Sequence, residues 1–261
     1  MITNSGAEFA DARLRLALPG LLSHATSRRG AIAPLPSPVP TPLIILDCDG
    51  VLVDSERITN ALLAEMVTEA GLTITAEHSI TRFKGRELRE IQLDIERDLG
   101  RPLGDDFIPS YRTRMAQRFE SEGVPPIDGA PELLHWLDER TIPHAVASNG
   151  PQEKMRLTLS RVAGADWFTR FEGRRFSAYD LSTWKPDPGL FLATARHMGA
   201  DPRDCIVVED SVSGVIAGVR AGMRVIGFAD LTPSDVLREA GASEVVGSHS
   251  ETTQLLGTWL E

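Results

Sequence analysis

Residues 43–56 read LIILDCDGVLVDSE, an apolar run that passes directly into Asp47, Asp49, Asp54 and Glu56. Like charges crowded at the end of a buried strand repel one another, and loss of water sharpens the repulsion. Such an arrangement calls for a cation. The apolar part is continuous rather than alternating, the pattern of a strand buried on both faces. The same form recurs in HAVAS at 144–148, CIVVED at 205–210, RVIGF at 224–228 and EVVGS at 244–248. These runs predict parallel strands between two helical layers, and the class is α/β.

Helical segments separate the runs. PQEKMRLTLSRVAG at 151–164 and PGLFLATARHMG at 188–199 each begin on proline and end on glycine, and SVSGVIAGVRAGM follows the third run at 211–223. Proline is tolerated at a helix start and glycine favoured just past its end. The expected core is therefore a Rossmann-like parallel sheet formed by 43–56 and 125–261. From Arg57 to Gly123 no strand-like run occurs; ITNALLAEMVTEAG, RELREIQLDIERDLG and DDFIPSYRTRMAQRFESEG have helical periodicity instead. An α-helical cap over 57–124, inserted after the first strand, would hang over the carboxyl ends of the strands as a lid. Residues 1–42 end in APLPSPVPTP, whose alternating prolines remove backbone donors and favour extended chain, so this part is expected to be a disordered or extended tail.

Composition narrows the function. The chain has 261 residues, of which 42% are hydrophobic and 25% charged, as in an ordinary globular protein. Its formal charge of −10 repels nucleic acid and anionic membranes, and no apolar run approaches a membrane span. Two cysteines, Cys48 and Cys205, are too few for a disulfide framework and sit in apolar runs as small buried hydrophobes. The expectation is a cytoplasmic monomer acting on a small molecule, with no nucleic-acid or membrane partner.

Ligands in open α/β sheets bind at the carboxyl ends of strands. Asp47 ends the first run, and Gly50 gives the chain freedom to turn so that Asp49 can face another side of whatever Asp47 contacts. Ser148, Asn149 and Gly150 end the second run at a helix start, a setting that favours an anion such as phosphate. Lys185 lies in the proline-rich TWKPDPG loop and can supply a fixed cation. Glu209 and Asp210 end the third run. A hard divalent ion, Mg2+, is held by one or two carboxylates plus substrate phosphate, and Asp47, Asp210 and the backbone carbonyl of Asp49 would serve, with Glu209 beside them. Together these groups make a phosphoryl-transfer site, with Asp47 as nucleophile and Asp49 alternating as acid and base.

On four motifs in order, DCDGVLVDSE, SNG, the lysine of KPDP and VEDSVSGVIAG, the sequence resembles the haloacid dehalogenase superfamily. The branch is that of β-phosphoglucomutase and sugar-phosphate phosphatases with a helical cap. The likeness spans roughly residues 43–230. It implies Asp47 as nucleophile, Asp49 as acid/base, Ser148, Lys185 and Asn149 as phosphate contacts, and Asp210 with Glu209 at magnesium. It also implies that Gly85 in RFKGREL marks a cap loop, with Lys84 and Arg86 reaching the substrate's distal part. The mutase carries a histidine where this chain has Thr59, so the expected activity is Mg-dependent hydrolysis of a small phosphorylated metabolite such as a sugar phosphate. A phosphomutase is the alternative, and a phospho-aspartate signalling module a distant one.

Overall fold

The computed structural model describes residues 42–84, 86–162 and 164–260. The tail assigned to 1–42 lies, except for Pro42, outside the described residues. The order of elements is β1 (Leu43–Leu46), α1 (Ser55–Glu69), α2 (Ala76–Phe83), α3 (Leu88–Leu99), α4 (Phe107–Glu122), α5 (Ala130–Glu139), β2 (His144–Ser148), α6 (Gln152–Leu159), α7 (Trp167–Arg170), β3 (Arg175–Ser177), α8 (Ala178–Leu181) and α9 (Gly189–His197). A 3₁₀ turn (Pro202–Asp204) leads into β4 (Cys205–Glu209), α10 (Val212–Arg220), β5 (Arg224–Phe228), α11 (Ser234–Glu239), β6 (Glu244–Val246) and α12 (His249–Leu260).

The six strands form one sheet in the order β3-β2-β1-β4-β5-β6, every pair parallel. Ile45 lies opposite Ala145 on one side and Val207 on the other, so β1 is central and hydrogen-bonded along both edges. Chain order reverses between β1 and β4. At such a switch point the connections leave in opposite directions and open a crevice at the strands' carboxyl ends. Asp47 and Asp210 both stand there.

Alternate side chains of the strands feed two apolar layers, as the twofold repeat of a strand dictates. Ile44, Leu46, Val146, Val208 and Phe228 pack with α5, α6 and α12 through Leu134, Met155 and Leu256. Leu43, Ile45, Ala147 and Val207 pack on the other face with α9, α10 and α11 through Phe191, Val215 and Leu237. Each fully buried aliphatic side chain contributes roughly 1.5–3 kcal/mol of transfer free energy. Helices α1 to α4 gather a third apolar group, including Leu62, Val67, Phe83, Ile95 and Tyr111.

The five runs read from sequence are all strands. Edge strand β3 was not legible, because its three residues include a charge and two of them are only partly buried. Helix α6 stops at Leu159, five residues short of the expected glycine. There the Ser160 hydroxyl donates to the Arg156 carbonyl at 2.6 Å, and Val162 instead pairs with Ala165.

Candidate active site

Parallel pairing brings the acids together. The Asp47 amide donates to the Val208 carbonyl at 3.0 Å, which extends the β1–β4 ladder by one bond past the strand and fixes where the Asp47 side chain emerges. One carboxylate oxygen each from Asp47, Glu209 and Asp210 lie within 4.8 Å of one another, and all three residues are buried. Burial raises the Asp47 carboxyl well above the usual range; Lys185 opposes the shift, while Glu209, Asp210 and Asp49 add to it. Asp210 is pushed up to about 7, chiefly by burial and despite the Lys84 ammonium beside it. Gly50 makes the packing possible: its φ is +84°, and a Cβ there would fall 2.3 Å from an Asp210 carboxylate oxygen. A buried set of hard oxygen donors whose repulsion is only partly offset by Lys185 and Lys84 suits a small divalent cation.

Lys185 is the fixed cation among them. Its ammonium donates to Asp47, to Glu209 at 2.5 Å and to the Ala147 carbonyl at 2.9 Å, and lies 5.0 Å from the centre of the Phe191 ring. Burial alone would lower its pKa, but Asp47 and Glu209 outweigh that and hold it raised. The Glu209 carboxylate also accepts from the Ser211 amide and hydroxyl, both at 2.9 Å. Helix α10 approaches so closely that a Cβ on Gly214 would fall 1.9 Å from that carboxylate. Ser148, the last residue of β2, is buried, and its hydroxyl oxygen accepts from the Gly150 amide at 3.0 Å as the chain turns into α6.

Asp49 faces away from this cluster, as the turn at Gly50 allows. One of its carboxylate oxygens accepts from the Ser55 hydroxyl and the other from Lys154 at 2.9 Å. Burial pulls the Lys154 ammonium down, but Asp49 and Glu56 together hold it raised. Glu56 is itself raised by burial and accepts from the Asn60 amide at 3.2 Å. From the helical segment, Lys84 donates to Asp210 at 2.6 Å and to Thr232 at 3.0 Å.

This geometry has known counterparts. The family model of the haloacid dehalogenase-like hydrolases matches residues 44–228. The chain belongs to that family. A 6-phosphogluconate phosphatase of Escherichia coli (strain K12) is 38% identical over 186 residues, which is 71% of this chain and 81% of that protein. A haloacid dehalogenase-like protein from Agrobacterium tumefaciens superposes with a TM-score of 0.74 at 35% identity, covering 84% of this chain and 99% of that one. A haloacid dehalogenase family hydrolase from Deinococcus radiodurans, solved with bound phosphate and sodium, gives a TM-score of 0.72 at 28% identity over 84% of this chain and 96% of its own. The sequence reading of a phosphoric monoester hydrolase agrees with the phosphatases among these relatives.

For this haloacid dehalogenase-like hydrolase, the residues read from sequence divide into three groups. Asp47, Ser148, Lys185, Glu209 and Asp210 converge at the crevice, Asp49 flanks it, and Lys84 enters it from the helical segment. Two of the expected substrate contacts have their side chains engaged by other residues of the chain. Arg86 turns along α3, pairing with Asp94 at 2.6 Å and Glu90 at 3.7 Å, because those acids project from the same helix face. The Asn149 side chain is taken up by Lys185, accepting from its backbone amide at 2.9 Å and donating to its carbonyl at 3.5 Å, so it secures the lysine loop and leaves a ligand contact at this position to the backbone. Gly85 lies outside the described residues. Sequence reasoning missed Lys154 and Ser55. Lys154 reads as an ordinary helix-surface lysine, although its place in the first turn of a helix that starts at the Ser148 loop was a usable signal.

No helix among the described residues is long and apolar enough to cross a membrane.

Proposed function

We propose that the protein is a cytoplasmic, magnesium-dependent phosphatase that hydrolyses a small phosphorylated metabolite through an aspartyl-phosphate on Asp47. The observation that carries this reading is the convergence of Asp47, Glu209 and Asp210 within 4.8 Å beside the Lys185 ammonium. Asp47 and Asp210, with the Asp49 carbonyl, would hold Mg2+. When bound, the ion offsets repulsion between the Asp47 carboxylate and the phosphate dianion. Glu209 keeps Lys185 in place through its ion pair.

In the first step an Asp47 oxygen forms a bond to phosphorus as the ester P–O bond breaks, and Asp49 gives its proton to the departing alkoxide. Lys185 and Ser148 meet the equatorial oxygens. In the second step Asp49 takes a proton from water, the water oxygen bonds to phosphorus, and the Asp47–phosphorus bond breaks. Phosphate leaves and both aspartates return to their starting states.

The substrate class follows from two supports. Helices α1 to α4 insert between β1 and β2 and bring Lys84 to Asp210, which suits a lid over a small enclosed ligand. The Escherichia coli relative is a 6-phosphogluconate phosphatase, which favours sugar phosphates and sugar-acid phosphates. Thr59, which stands where the resembled mutase carries a histidine, spends its hydroxyl on the Glu56 carbonyl at 3.1 Å within its own helix, and the lack of that histidine favours hydrolysis over phosphoryl return to a sugar. Phosphate release from a panel of phosphorylated metabolites, with and without Mg2+, tests the proposal. Turnover confined to the magnesium arm is expected; no release from any ester, or release indifferent to the cation, contradicts it.

A further inference from the structure

Lys154 has no place in the phosphoryl-transfer steps just given, yet it touches the residue on which the second step turns. Its ammonium lies 2.9 Å from one Asp49 oxygen, and the side chain is only 24% exposed. The other Asp49 oxygen is held by Ser55, the first residue of α1. The two partners belong to different parts of the molecule. Ser55 opens α1, the first helix of the inserted helical segment. Lys154 stands on α6, which is fastened to the sheet through Met155 and Leu159, 1% and 0% exposed. Glu56 adds a second negative charge near Lys154 and steadies the ammonium without taking it from Asp49.

We infer that Lys154 is a positioning residue for the hydrolytic half-reaction, holding Asp49 from the core side so that its orientation toward the attacking water does not depend on where the helical segment sits. This rests on the phosphatase reading above. A part-buried ion pair from a helix fastened to the sheet fixes one carboxylate geometry, whereas the Ser55 hydroxyl holds it from the start of the inserted helical segment. The two half-reactions then respond differently to loss of the lysine. With p-nitrophenyl phosphate the leaving group needs no proton, so phosphorylation of Asp47 does not call on Asp49, while attack by water still does.

The experiment is pre-steady-state kinetics of the full chain with Mg2+ and p-nitrophenyl phosphate, comparing wild type, Lys154→Met, Lys154→Gln and Lys154→Arg. In Lys154→Met the expected result is a rapid burst of about one equivalent of nitrophenolate, followed by a steady-state rate roughly 10- to 100-fold below wild type. Lys154→Arg, which keeps a cation facing the carboxylate, is expected to recover most of the steady-state rate with an unchanged burst. A steady-state rate within about twofold of wild type overturns the inference, as does a burst that slows in parallel with turnover, the mark of general structural damage. If Lys154→Met does not fold by circular dichroism, the same criteria are applied to Lys154→Gln. A wild-type protein without turnover overturns the phosphatase reading and this inference with it, whereas an active wild type with indifferent variants overturns this inference alone.

Discussion

Gly50 and Asp210 are in such close contact that the space beside the Gly50 Cα, where any other residue would carry its Cβ, is filled by the Asp210 carboxylate. The turn that follows β1 and the acid that follows β4 are thus fitted to each other across the switch point of the sheet.

Gly50→Ala therefore faces two penalties at once, a φ of +84° that an L side chain rarely adopts and a contact of 2.3 Å with Asp210. Relief requires Asp210 to move. The variant is expected to lose about 1–3 kcal/mol of stability in urea unfolding and to bind Mg2+ at least about tenfold more weakly by calorimetry. Unchanged metal affinity would show that the position of Asp210 is not critical.

Proton release on metal binding follows from Asp210. Its carboxyl is raised from 3.8 to about 7 by burial, so in the cation-free protein it is protonated at low pH and the folded state binds a proton that the unfolded chain gives up near 3.8. The stability this confers is complete at the acid end and declines as pH rises through about 7. A cation requires the ionised form, so apparent Mg2+ affinity should rise with pH up to that region, with uptake of metal releasing a proton. Calorimetry in buffers of different ionisation enthalpy measures the proton count; affinity flat from pH 5.5 to 8 would contradict it.

Asn149→Ala removes the side-chain acceptor of the Lys185 amide. Loss of a partly buried hydrogen bond costs about 1 kcal/mol, and a loosened lysine loop should lower kcat about tenfold with little change in KM. Arg86→Ala, by contrast, breaks exposed pairs on α3 and is expected to leave kcat and KM within about twofold of wild type.

Acid stability is set partly by His249. Its Nε2 lies 2.7 Å from the Val51 carbonyl, its ring stacks on Phe228 at 4.5 Å, and burial lowers its pKa below 6.5. The unfolded chain takes up a proton first as pH falls, so the stabilising contribution is intact above about 6.5 and is lost as pH drops toward the lower folded value. His249→Gln, which keeps a donor to Val51, should be less stable at neutral pH yet lose less stability between pH 7 and 5 in chemical denaturation. Parallel curves for the two proteins would rule His249 out.

Much of this was legible in the sequence. Buried parallel strands must be apolar along their length, so β1, β2 and β4 stand out, and the polar residues that end them are the crevice residues Asp47, Ser148 and Asp210. The short edge strand β3 is not under that demand and left no comparable run. Side-chain direction was the part that could not be read. Lys84 and Arg86 are neighbours in a basic stretch, yet one reaches Asp210 and the other follows the acids of α3, a choice made by helix phase and by partners distant in the chain. Lys154 was hidden for a related reason: its place in the first turn of α6 puts it near the crevice, but nothing local marks Asp49 as its partner.

The most direct test is to look for the phosphoryl group on Asp47. An acid-quenched single turnover of the full chain with a labelled ester and Mg2+, followed by peptide mass spectrometry, should place an acyl-phosphate on the peptide containing Asp47, and Asp47→Asn should yield neither the adduct nor free phosphate. Phosphate released by Asp47→Asn at the wild-type rate, or an adduct on another residue, would contradict the account.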